Sequence, residues 1–104
     1  MIAAIAEKRA DLADLCRRYG VSRLDVFGSA ARRADFDEAT SDVDFLVELA
    51  PADNGLARLV DLGEALEALL GRPVDLVDRR ALETSRNYIR RRNILKGVEA
   101  VYAA

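Results

Sequence analysis

Apolar residues recur at helical intervals over the first twenty positions. Ile2, Ile5, Leu12, Leu15, Cys16 and Tyr19, with Gly20 as a stop, predict a helix over residues 2–19. Arg23 to Phe27 then alternates polar and apolar and ends at Gly28-Ser29, a short strand with a tight exit. Positions 30–41 are polar and turn-rich, with room for one helical turn over 29–33. Alternation resumes from Asp42 to Leu49 and closes at Pro51, a second strand. Leu56, Leu59, Val60, Gly63, Leu66, Leu69 and Leu70 mark an amphipathic helix with Asp53 or Asn54 as its cap and Gly71 past its end. Pro73 to Val77 is a third strand. Thr84 or Ser85 can cap a last helix whose apolar positions, Tyr88, Ile89 and Leu95, are sparse. Val98, Val101 and Tyr102 form a tail that adds a strand or docks on the body. This order of elements predicts one α/β domain spanning residues 1–104 around a small sheet.

Strand alternation also assigns faces. Leu24 and Val26, then Val43, Phe45, Val47 and Leu49, then Val74 and Leu76 share an apolar face that helices can cover. Asp42 and Asp44, roughly 6–7 Å apart along one strand, point the other way, as does Asp75. If the second and third strands are neighbours, three carboxylates converge.

Composition narrows the chemistry. The 104 residues are 51% hydrophobic and 33% charged, an ordinary globular balance. No apolar run reaches a membrane span and no signal-peptide core is seen, so neither membrane nor export is expected. His is absent and Cys16 is the single cysteine, which excludes a Ser-His-Asp triad, a His/Cys zinc site and an internal disulfide. A core thiol and a cytoplasmic location are expected. Any chemistry must rest on carboxylates, Ser, Tyr, Arg or Lys, with a metal held by oxygen.

Charge is uneven. Residues 1–78 hold nine Lys/Arg against sixteen Asp/Glu, whereas residues 79–96 hold seven basic residues against Glu83 alone. That segment suits phosphate or an acidic partner, or else is a solvated helix face. The net charge of −2 argues against a general nucleic-acid binder, and RNA is left as a minor possibility through 79–96.

Three converging carboxylates repel one another, and a divalent cation relieves that repulsion; Mg²⁺ suits an oxygen-only shell completed by substrate phosphates. The alternative is a wet face of solvated acids. Gly28-Ser29, leaving a strand, can offer N–H groups and a hydroxyl to a phosphate, and Arg32 adds a forked donor. A phosphate cradle beside a metal cage suits nucleotidyl transfer.

Phe27-Gly28-Ser29-Ala30-Ala31-Arg32, followed by Ser41-Asp42-Val43-Asp44-Phe45-Leu46-Val47, resembles the Gly-Ser…Asp-x-Asp motif of the DNA polymerase β-like nucleotidyltransferases. Pro73-Val74-Asp75-Leu76-Val77 resembles the strand bearing that superfamily's third carboxylate. In size the chain is similar to the minimal nucleotidyltransferases, the MntA-like antitoxins of HEPN/MNT toxin–antitoxin pairs. Arg33–Thr40 makes the loop between the two motif halves longer than the family pattern, and acidic. The resemblance implies an α/β (α+β) core, a small mixed β-sheet with helices packed on one face. It implies that Gly28 and Ser29, with Arg32, bind the nucleotide. It further implies that Asp42, Asp44 and Asp75 hold two Mg²⁺ ions, with Asp75 also drawing the proton from the attacking hydroxyl. The implied function is transfer of AMP from ATP to a tyrosine of a HEPN ribonuclease toxin. Two other functions stay open: an antitoxin that only occludes its toxin, and a transferase acting on a small molecule or RNA end.

Overall fold

The computed structural model describes residues 2–28 and 42–104. Ser29, Arg32, the possible helical turn over 29–33 and the loop 33–40 lie outside the described residues.

The first periodic stretch forms two helices, α1 (Ala3–Ala6) and α2 (Arg9–Arg18), instead of one. At the break the Lys8 N–H turns to the Ile5 carbonyl at 3.1 Å, three residues back rather than four. The Lys8 ammonium meanwhile donates to the Leu69 carbonyl at 2.7 Å. A contact across sixty-one positions leaves no trace in local periodicity. Ile5, Leu12 and Cys16 nevertheless keep one buried face, as their spacing requires.

Four strands follow: β1 (Val21–Phe27), β2 (Val43–Leu49), β3 (Val74–Asp78) and β4 (Glu99–Ala103). Their order across the sheet is β3-β2-β1-β4. β1 is antiparallel to β2 and β4, and β2 is parallel to β3, so the sheet is mixed. The C-terminal tail therefore adds a strand. Between β2 and β3 runs α3 (Gly55–Leu70), which stops at Gly71 with φ +68° and a Gly71 N–H to Glu67 carbonyl bond of 2.8 Å. Asn54 stands at its start without a side-chain capping bond. Arg58 ties α3 to the sheet, donating to the carbonyls of Tyr19, Gly20 and Ala50.

A short helix that the pattern did not announce, α4 (Arg79–Glu83), opens with the Asp78 carboxylate accepting from the Arg80 N–H at 3.0 Å. Five residues with one buried apolar position, Leu82, are too few to show a period. The last helix, α5 (Tyr88–Lys96), starts after Asn87, whose side chain accepts from the Arg90 N–H at 3.1 Å. Asn87 thus replaces Thr84 or Ser85 as the cap, and the Thr84 hydroxyl donates backward to Arg80 and Ala81.

The core lies where alternation placed it. Leu24, Val26, Val43, Phe45 and Val47 are fully buried against Ile5, Leu12, Cys16, Leu62 and Leu66, with Val74 and Leu76 packed at the margin. Each such side chain contributes about 1.5–3 kcal/mol on burial. The opposite face is less wet than expected, because Leu46 and Asp25 are fully buried on it. Handedness explains why. The β2–α3–β3 and β3–α4–α5–β4 connections each join parallel strands, but they step across the sheet in opposite directions. Right-handed connections of opposite step lie on opposite faces. With α3 on the core side, α4 and α5 must cross the carboxylate side.

Candidate active site

On that second face the ladder sets two rows. Phe27, Asp44 and Asp75 stand side by side across β1, β2 and β3, and Asp25, Leu46 and Val77 form the next row. The neighbouring of β2 and β3, on which carboxylate convergence depended, is present, and it pairs Asp44 with Asp75. Asp44 is half-buried and Asp75 exposed. Asp42 is exposed and precedes the first ladder residue, Val43, so the pleat does not fix its side chain. Among the described residues no group of three metal-ligating side chains is assembled. The ladder sets two of the three expected carboxylates, Asp44 and Asp75, in register, and Asp42 stands one residue before it.

Gly28 closes the β1 end of the first row. Its φ is +71°, and a Cβ there would lie 2.7 Å from Asp44 Oδ2. Glycine is required twice over, by the left-handed backbone and by the approach of the Asp44 carboxylate. That approach places Gly28, the described residue of the Gly-Ser pair, against the Asp-x-Asp strand. Ser29 and Arg32, the remaining candidates, fall outside the described residues.

Above this floor the crossing segment makes a roof. A cleft of about 520 Å³ is floored by Phe27, Gly28, Asp44, Asp75 and Val77 and roofed by Asn87, Ile89, Arg90, Asn93 and Ile94. Positions 87, 90, 93 and 94 share one face of α5 at i, i+3 and i+4 spacing. Arg90 is the cation lining the cleft among the described residues. Arg90 belongs to the basic run that suits phosphate or an acidic partner; the other four roof residues were not singled out as a site from sequence. Their signal was indirect: the basic run, and a chain that must travel between opposite sheet edges.

The roof is anchored by charge. Asp25, fully buried, accepts from Arg79 Nη2 at the start of α4 and from Arg23 Nε at 3.0 and 3.2 Å. Arg79 keeps only 13% of its side chain exposed and also faces Glu83 at 3.7 Å. Alternation puts Asp25 on the face opposite Leu24 and Val26 and does not say what covers it. Its burial required Arg79, fifty-four positions away.

Chemically, the cleft combines an oxygen-only donor pair, a backbone that approaches a carboxylate closely, and a roof with one cation and two amides. Carboxylates on adjacent strands fit Mg²⁺, which takes one or two such ligands and completes its shell from water and substrate phosphates.

A family model described as nucleotidyltransferase domain matches residues 12–99. The protein adenylyltransferase MntA of Thermococcus cleftensis is 41% identical over 71 residues, covering 68% of this chain and 69% of that protein. A solved minimal nucleotidyltransferase superposes with a TM-score of 0.70 at 33% identity, covering 90% of this chain and 89% of the other. A toxin–antitoxin structure with AMP-PNP shares the fold, with a TM-score of 0.66 at 21% identity over 92% of this chain and 73% of the other.

Proposed function

The chain belongs to the nucleotidyltransferase domain family, and from that membership we propose that it transfers AMP from ATP to a tyrosine hydroxyl of a HEPN-type ribonuclease toxin. It would thereby act as the antitoxin of a cytoplasmic pair. The observation that carries this reading is Gly28 set against Asp44, with Asp44 paired to Asp75, at the floor of one cleft. The kinship with a protein adenylyltransferase supports the acceptor class, and the toxin–antitoxin fold neighbour supports the partner.

The Gly28 backbone and the Ser29 hydroxyl bind the β- and γ-phosphates, and Arg32 adds donors to them. Asp42, Asp44 and Asp75 would hold two Mg²⁺ ions. The chemistry these supply when bound is neutralisation of charge on the phosphoryl oxygens. Asp75, exposed at the cleft floor, takes the proton from the tyrosine Oη. That oxygen bonds to the α-phosphorus, the bond from the α-phosphorus to its bridging oxygen breaks, and pyrophosphate leaves with the electron pair.

Occlusion without transfer is the alternative reading, and the exposed Tyr88 and Ile89 on α5 favour it as far as they favour any protein contact. Transfer to a small molecule or an RNA end is the third. Incubation of the toxin with α-³²P-labelled ATP and Mg²⁺ separates transfer to the toxin from occlusion. Label on a toxin tyrosine, lost in Asp42→Ala plus Asp44→Ala together with neutralisation, is the expected result. An unlabelled toxin, with neutralisation surviving the double substitution, would sink the enzymatic reading and leave occlusion.

A further inference from the structure

The roof helix carries an exposed surface that extends beyond the cleft. Tyr88 is 61% and Ile89 60% exposed at its first turn. Around them Arg86, Arg90 and Arg92 are exposed, and their side chains have no partner among the described residues. Arg91 differs, since its Nη1 donates to the Glu83 and Ser85 carbonyls and ties α5 to the end of α4.

Such an arrangement is costly for the chain alone. Arg92 and Lys96, one turn apart on α5, repel each other by a few tenths of a kcal/mol, and no acid on α5 offsets them. Two large apolar side chains in water add nothing to the fold either. Tyr and Arg together, however, are the residues most enriched at the centres of protein interfaces. The surface is also continuous with the site, because Ile89 and Arg90 line the cleft that holds Asp44 and Asp75. Asp75 and the first turn of α5 line the same cleft, so a protein that brings a hydroxyl to Asp75 comes close to this surface.

We propose that the exposed face of α5, Tyr88 and Ile89 ringed by Arg86, Arg90 and Arg92, is the docking surface for the acceptor protein. It receives an acidic segment with an apolar anchor beside the tyrosine to be modified. This rests on the protein-acceptor reading above and adds the chemistry of the partner. The opposite charges steer and orient the acceptor, while the apolar pair supplies contact area at the cleft mouth.

The test separates docking from transfer. Binding of the HEPN toxin is measured without ATP, and KM is measured separately for toxin and for ATP in AMP transfer. Arg86→Glu plus Arg92→Glu, both outside the cleft lining, should weaken toxin binding about tenfold or more and raise the toxin KM in step. The ATP KM should stay within about twofold of wild type, and a Tyr88→Ser variant should lose toxin affinity in the same direction. Arg86→Lys plus Arg92→Lys should retain binding, and circular dichroism of every variant separates lost docking from lost fold. Unchanged toxin affinity in the charge-reversed protein overturns the proposal. So does a rise in ATP KM matching the toxin effect, which would assign the surface to the nucleotide. Loss of binding to a labelled RNA oligonucleotide, with toxin affinity intact, would assign it to RNA and overturn the proposal as well. A wild type that transfers no AMP to the toxin refutes the protein-acceptor reading itself, whatever the variants do.

Discussion

Removal of Asp25 or Arg79 should destabilise this domain more than any other single charge deletion. Asp25 is fully buried and Arg79 nearly so. Asp25→Ala leaves a guanidinium with 13% of its side chain exposed, its Nε already without a hydrogen bond, and only Glu83 at 3.7 Å. Breaking a buried pair from one side costs about 3–5 kcal/mol, most of it the desolvation of the charge left behind. Arg79→Ala should fall at the lower end, about 3 kcal/mol, because Arg23 still donates to both Asp25 oxygens. Arg23→Ala should cost about 1 kcal/mol or less, since its side chain is 45% exposed and Arg79 stays in place. For a chain of this length each kcal/mol lowers Tm by about 4–8 °C, so the two severe variants should melt roughly 12 °C or more below wild type. The combination Asp25→Leu with Arg79→Met should be less destabilised than either charge deletion, because no unpaired charge remains. Urea unfolding followed by circular dichroism gives the four values. If Asp25→Ala and Arg79→Ala both lie within about 1 kcal/mol of wild type, or if the double variant is less stable than either of them, the buried pair does not hold the roof and the reasoning fails.

Gly28→Ala should reduce nucleotidyl transfer about a hundredfold, from a backbone strain of about 1–2 kcal/mol and from displacement of Asp44 Oδ2, which a Cβ would meet at 2.7 Å; steady-state kinetics with intact circular dichroism checks it. Asp75→Asn should lower kcat about 10²–10⁴-fold while thermal stability changes little, since the side chain is exposed; comparable turnover by the variant would remove Asp75 from proton transfer. Burial pushes the Cys16 thiol up from 9.0 to about 12, with neighbouring Arg17 opposing it slightly. The folded state therefore keeps this proton longer than the unfolded chain. The stability tied to the thiol is whole below pH 9.0 and is lost as pH rises toward about 12. Urea midpoints of wild type and Cys16→Ala should converge across that window, and a thiol reagent should leave native Cys16 unmodified near neutral pH.

Local pattern carried much of this protein. Period-two alternation determined which of Leu24, Val26, Val43, Phe45 and Val47 enter the core, because a strand offers its side chains only two faces. The same alternation set Asp44 and Asp75 on the face away from that core. Gly28 was legible because a Gly-Ser turn at a strand exit is chemically suggestive, and the absence of His with one Cys confined metal ligands to oxygen. Pairing was another matter. That β2 and β3 are parallel neighbours, that Asp44 meets Asp75 in register and that Gly28 packs on Asp44 are long-range facts, decided by which connections the chain can make. The second face shows the division most clearly. Alternation put Asp25 opposite the core, and composition made residues 79–96 a basic segment. Joining opposite sheet edges by a right-handed path laid that segment over the carboxylates, and only then did Asp25 acquire Arg79 and the cleft acquire its roof.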